Sequence, residues 1–99
     1  MSRVILTRLA QADLIDIGRF IAQDNEAAAK RWMRKLRTTC KKTIGGMPGC
    51  GTRFDHLLAD MRCYYSVKGY VIFFRGRNPV EIPRIVNGAR DFNQLRFTE

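Results

Sequence analysis

The sequence predicts a small α+β domain of order β-α-α-β-β-β, with a helical hairpin packed on one face of a small, mainly antiparallel sheet. Three observations carry this expectation. The chain has 99 residues, enough for one domain over residues 1–99 with one small core. Apolar residues recur at helical spacing from Ala10 to Ile44, interrupted once at Asp24-Asn25. After residue 60, three strand-like runs are separated only by Lys68-Gly69 and by Gly76-Arg77-Asn78-Pro79, connections short enough to join antiparallel neighbours.

The elements follow in order. Arg3 to Leu9 holds Val4, Ile5 and Leu6, a β-branched and apolar run suited to a first strand. From Ala10 the period changes: Ala10, Leu14, Ile17 and Ile21 form an apolar stripe, with Gln11, Asp13, Asp16 and Arg19 on a polar side, which predicts a helix ending near Asp24. Asp24-Asn25 offers short side-chain oxygens for the free amides of a second helix, and Glu26 suits its positive end. The stripe of that helix is Ala29, Trp32, Met33, Leu36, Cys40 and Ile44, and its other face carries Lys30, Arg31, Arg34, Lys35, Arg37, Lys41 and Lys42.

Residues 45–51 hold four glycines and Pro48, which predicts a loop. The glycines do not spell GxxxxGK[ST] and no strand leads into them, so a nucleotide cradle is not expected. Met61 to Val67 alternates as a half-buried strand should, whereas Val71 to Phe74 is continuously apolar and reads as a central strand within Tyr70 to Arg75. The last run, Val80 to Asn87, contains Pro83, which has no amide to donate and predicts an edge, a bulge or a break.

Eighteen Lys and Arg against nine Asp and Glu give a formal net charge of +9, which favours acidic partners: nucleic acid, an acidic protein segment or an anionic membrane. Cys40, Cys50 and Cys63 are odd in number and form no CxxC pair, which predicts free thiols in a reducing cytoplasm. No stretch approaches the length of a spanning helix.

Little in the chain suits catalysis. His56 is the sole histidine and falls in a loop-like segment, where a surface role is expected. The cysteines sit in stripes that predict core packing, so a thiolate nucleophile is not expected. Asp13 and Asp16 share a helix face, but with no further ligand nearby they are expected to be a solvated helix start that complements the dipole. No cofactor or metal is expected. Arginine is the informative residue: Arg62, Arg75, Arg77, Arg84, Arg90 and Arg96 punctuate the sheet half, and the planar guanidinium fork suits carboxylates and phosphates.

The element order, the helix start at Ala10, Leu14 and Ile17, the run from Arg62 to Arg75 (RCYYSVKGYVIFFR) and the ending Ile85-Val86-Asn87-Gly88-Ala89-Arg90-Asp91 resemble the ParE/RelE toxins, nearer the ParE branch. The resemblance implies the toxin of a type II toxin–antitoxin system, neutralised by a cognate antitoxin whose acidic C-terminal segment wraps its surface. It implies Trp32, Arg34, Arg37, Lys41, Arg62, Arg75, Arg84 and Arg90 as residues that bind antitoxin or target. RelE-like members cleave messenger RNA on the ribosome with an Arg after the Gly-Tyr pair, a late Arg and often a C-terminal Tyr. Here Val71 follows Gly69-Tyr70, Phe97 follows Arg96, and Asn87 stands where a His is common; only Arg90 matches. ParE-like members bind and poison DNA gyrase without catalysis, and that is the expected function. A ribosome-dependent ribonuclease and a non-toxic basic nucleic-acid-binding module are the alternatives.

Overall fold

The computed structural model describes residues 2–55 and 58–98, together with the backbone alone of Val67; His56 lies outside the described residues. Strand β1 (Val4–Leu6) leads into helix α1 (Arg8–Ala22) and helix α2 (Glu26–Thr38), followed by β2 (Thr52–Arg53), β3 (Arg62–Tyr65), β4 (Tyr70–Arg75) and β5 (Val80–Asn87). The strands form one sheet in the order β1-β5-β4-β3-β2. β1 pairs with β5 in parallel and every other pair is antiparallel. The expected β-α-α-β-β-β architecture is therefore present, with β2 as an added strand of only two residues.

Capping explains the first turns. Thr7 ends β1 and starts α1, three residues earlier than the apolar stripe suggests: its Oγ1 accepts the Ala10 amide at 3.2 Å and donates to the Pro83 carbonyl at 3.0 Å. One hydroxyl thus starts the helix and fastens it to β5. Asn25 caps α2 as expected, its Oδ1 accepting from the Ala28 amide at 3.0 Å.

Beyond Thr38 the helix widens into a π-helical segment, Thr39–Ile44. The sequence explains why. Trp32, Leu36, Cys40 and Ile44 are four residues apart, and in a regular α-helix each such step overshoots a full turn by about 40°, so the stripe would rotate off the core. The wider turn cancels the drift, and all four are at most 3% exposed. The helix then runs on through Gly45 and Gly46, so the predicted loop begins later than its glycines imply. Gly45 is buried where a Cβ would stand 2.8 Å from Val4 Cγ2 and 3.2 Å from the Ser2 carbonyl, and its own carbonyl accepts the Ser2 amide at 2.9 Å. The missing side chain lets the helix end lie directly against β1.

Pro83 is not on an edge strand. β5 lies inside the sheet, and Pro83 occupies a bulge: the β4–β5 register passes from Phe73↔Arg84 to Arg75↔Glu81, leaving Ile82 and Pro83 opposite Phe74 alone. The missing donor thus falls where the ladder is already interrupted.

Alternation along β4 divides the interior. Tyr70, Ile72 and Phe74 join Leu14, Trp32 and Leu36 beneath the helices. Val71 and Phe73 face the other way, into a second cluster with Met61, Cys63 and Val86 that is roofed by Phe54, Leu58, Phe92, Leu95 and Phe97. The sheet therefore carries an apolar cluster on each face, where one core was expected. The covering of the second face by the segment after β5 was not anticipated. Phe73 sits at its centre, edge-on to Phe54, Phe92 and Phe97 at 5.1–5.5 Å between ring centroids.

Candidate functional site

Three concavities, the first with a notch beside it, gather five of the expected binding residues, Arg37, Lys41, Arg62, Arg75 and Arg90. The first lies between β1, α1 and α2, encloses about 320 Å³, and is lined by Leu6, Gln11, Leu14, Ile15, Met33 and Arg37. A small apolar notch of about 40 Å³ shares Leu6, Leu14 and Arg37 with it and adds Lys41. An apolar floor with two cations beside it can take an apolar anchor and an acidic group together.

The second concavity, also about 320 Å³, runs between α1 and the end of β5. Phe20, Tyr70, Ile85 and Val86 supply its apolar lining, with Asp16 and Arg90 as its exposed charges. Arg90 is placed by a turn: Asn87 Oδ1 accepts the Ala89 amide at 2.9 Å, and the Asn87 carbonyl accepts the Arg90 amide at 3.1 Å. Gly88 permits this end of β5 to touch the β3–β4 connection, its amide donating to the Gly69 carbonyl at 2.9 Å.

The third lies at the opposite end of the sheet, where the segments around β2 and the β4–β5 connection meet, and is lined by Arg53, Arg62, Arg75 and Arg77. Along the outer face of α2, Arg31, Arg34 and Lys35 form a flat basic surface beside Thr38.

The model of the family described as "ParE toxin of type II toxin-antitoxin system, parDE" matches residues 4–92. The chain belongs to the ParE toxin family. Among solved structures it is similar to the chromosomal ParDE toxin–antitoxin system from P. aeruginosa, with 19% identity, a TM-score of 0.70, and coverage of 88% of this chain and 96% of that one. No curated protein matches the sequence.

In this ParE-family chain the expected binding residues do not converge on one place. Arg37 and Lys41 flank the first groove, Arg34 lies on the outer face of α2, Arg90 borders the second groove, and Arg62 and Arg75 line the third. Two are not available as surface anchors. Trp32 is 3% exposed and packs edge-on against Tyr70 at 5.1 Å, because it lies on the α2 stripe that faces the sheet. Arg84 is held by Asp13 through Nε–Oδ2 at 2.7 Å and Nη2–Oδ1 at 3.0 Å, and it donates to the Arg96 carbonyl at 2.8 Å. Its fork is spent inside the fold. Asp13 is correspondingly no solvated helix start but an internal tether, its side chain 14% exposed.

Other exposed residues of this ParE-family chain escaped the sequence reading. Ile15 and Phe20 are 51% and 66% exposed on α1. Both are apolar but out of phase with the stripe of Leu14, Ile17 and Ile21, which is the signal that marks them. Arg53 was hidden because its two-residue strand has no detectable period. Among the described residues no three His, Cys, Asp or Glu side chains gather to hold a metal. Burial raises all three thiols above their ordinary value, Cys40 up to about 12, so none is poised as a thiolate at neutral pH.

Proposed function

We propose that this chain is a ParE-type toxin that binds and poisons DNA gyrase stoichiometrically in the cytoplasm, and that a cognate antitoxin neutralises it through an acidic C-terminal segment. Family membership over residues 4–92 carries the reading. Binding rather than catalysis is supported by the chemistry around Arg90: among the described residues that line its groove there is no imidazole and no thiol, and of its two carboxylates Asp13 is committed to Arg84, which leaves Asp16 alone where an acid and a base are both required. General acid–base cleavage of a phosphodiester needs groups free to take and give a proton.

The groove of Leu6, Leu14, Ile15 and Met33 suits the antitoxin. A segment that orders on binding loses conformational entropy, so charge attraction alone holds it weakly and apolar anchors must contribute. Ile15 and Met33 offer that contact, and Arg37 and Lys41 receive the acidic side chains. The Arg90 end, with Phe20 beside it, faces the target.

Purified toxin added to a gyrase supercoiling reaction is expected to inhibit it or trap cleaved DNA, and Arg90→Ala to weaken this at least tenfold. Unaffected gyrase at micromolar toxin, or codon-phased cuts in messenger RNA after induction, would overturn the assignment.

A further inference from the structure

The arginine cleft at the far end of the sheet has no part in that reading, and its electrostatics are unusual. Arg53 on β2 and Arg62 on β3 are directly opposed across the ladder, a like-charge pairing that destabilises a sheet unless something lies between the charges. Arg53 is balanced locally by Asp55 at 2.8 Å, and Arg75 by Glu81 at 3.1 Å. Arg62 has no such partner among the described residues. Its Nη1 reaches only the carbonyls of Cys50 and Gly51, both at 3.5 Å, the outer limit of a hydrogen bond. Arg77, exposed on the β4–β5 connection, has no ion pair among the described residues; nor does Asp60 on the same cleft wall.

Two glycines build this cleft. Gly51 and Gly76 adopt φ of +76° and +81°, and a Cβ on them would meet the Cys63 carbonyl at 2.4 Å and the Pro79 carbonyl at 2.9 Å. The backbone bends required to bring β2 and the β4–β5 connection together are thus ones that glycine alone adopts without strain.

We propose that this cleft binds a phosphate group, with Arg62 and Arg77 as the principal donors and Arg53 and Arg75 as supporting charges. Four guanidiniums around a space of about 320 Å³ can direct many N–H groups at one tetrahedral anion, whose oxygens accept several forks at once. A carboxylate has two oxygens and one charge, and would meet Asp55 and Asp60 on the walls with less to offset them. An acidic peptide would also need an apolar anchor, and among the described residues that line the cleft the one large apolar side chain, Met61, is fully buried. The phosphate can come from a free nucleotide or from a nucleic-acid backbone. Among the described residues no aromatic side chain lines the cleft to stack a base, so the recognition proposed is of the phosphate alone.

The test measures binding of inorganic phosphate, a nucleoside monophosphate, a random-sequence DNA duplex and a glutamate-rich peptide to the full chain at fixed ionic strength. Arg62→Gln and Arg77→Gln are each expected to weaken the phosphate-bearing probes roughly tenfold, the loss of one charge-assisted contact. Lys30→Gln/Lys42→Gln, which removes two charges elsewhere, is expected to change them less than about twofold. Duplex binding without nucleotide binding assigns the backbone as the source, and the reverse assigns the nucleotide; either supports the cleft. Equal losses in the Lys30/Lys42 variant, peptide binding that depends on Arg62 while phosphate probes fail, or no binding at millimolar phosphate would each overturn it. Arg77 lies outside the strands, so its variant remains informative if Arg62→Gln folds poorly. Gyrase inhibition is not read, so failure here leaves the target assignment standing.

Discussion

Asp13 on α1 does for β5 what a neighbouring strand would otherwise do. β1 pairs with β5 only as far as Ile82, and three residues on Asp13 Oδ2 accepts the Ile85 amide at 3.0 Å while also holding Arg84 at 2.7 Å. The carboxylate satisfies a backbone donor where the ladder has run out, and the guanidinium keeps that carboxylate compensated in a mostly buried place.

Removing one partner of such a pair strands the other. Asp13→Ala is expected to destabilise the fold by about 3 kcal/mol, because Arg84 and the Ile85 amide both lose their acceptor. Asp13→Asn, which keeps one acceptor, should lose less, and Asp13→Leu/Arg84→Met should recover part of the deficit. Urea midpoints across the three variants test this; a double variant as unstable as Asp13→Ala would mean the pair itself stabilises the fold.

Adjacent glycines should respond with opposite signs. At Gly46 a Cβ meets nothing within 4 Å, so Gly46→Ala is expected to stabilise the helix end by about 0.5–1 kcal/mol. Gly45→Ala drives a methyl into Val4 and should destabilise by about 1–3 kcal/mol, relieved in part by Val4→Ala. Thermal melts of the two single variants moving in the same direction would contradict the packing at β1.

Alkaline stability should report on Cys40. Burial pushes its thiol from 9.0 up to about 12, so the unfolded chain loses this proton first as pH rises. The contribution is complete below pH 9 and declines between pH 9 and 12, by at most about 1.4 kcal/mol per pH unit. The stability difference between the native chain and Cys40→Ala should therefore narrow over that window and stay constant from pH 6 to 8. Thiol alkylation at pH 8 should modify half-buried Cys50 before buried Cys40.

Lys68 carries a positive φ of 57° in the β3–β4 connection, a conformation unfavourable for a side chain with a Cβ. Lys68→Gly is expected to be neutral to stabilising, by up to about 1 kcal/mol, without altering the register of Tyr65↔Val71. A destabilisation beyond that range in denaturant titrations would mean that the lysine stem itself packs on the sheet.

Features governed by local periodicity were readable from the residues. The α2 stripe, the Asn25 cap and the covered centre of β4 each follow from a repeat or a short-range hydrogen bond. Features set by distant partners were not. Asp13 looked solvated because Arg84 lies 71 residues away; Trp32, by contrast, already stood on the apolar α2 stripe, and only the resemblance offered it for binding. The parallel pairing of β1 with β5 leaves no mark on β1 itself. The π-helical segment was legible in principle, since a fourfold spacing maintained from Trp32 to Ile44 cannot stay on one side of a regular helix. As for the site, Arg37, Arg62 and Arg90 each line a concavity, but their separation into distinct grooves depends on strand order, which composition does not encode.

The two outermost strands are also the two shortest, three residues in β1 and two in β2. Each therefore presents only a brief row of free backbone groups, and Arg53 adds charge to the β2 margin. Beyond Ile82, where β1 no longer covers it, β5 is edged by α1, and Asp13 already occupies the Ile85 amide. Margins this short, charged or covered by a helix work against edge-to-edge pairing of an apolar sheet with a second copy.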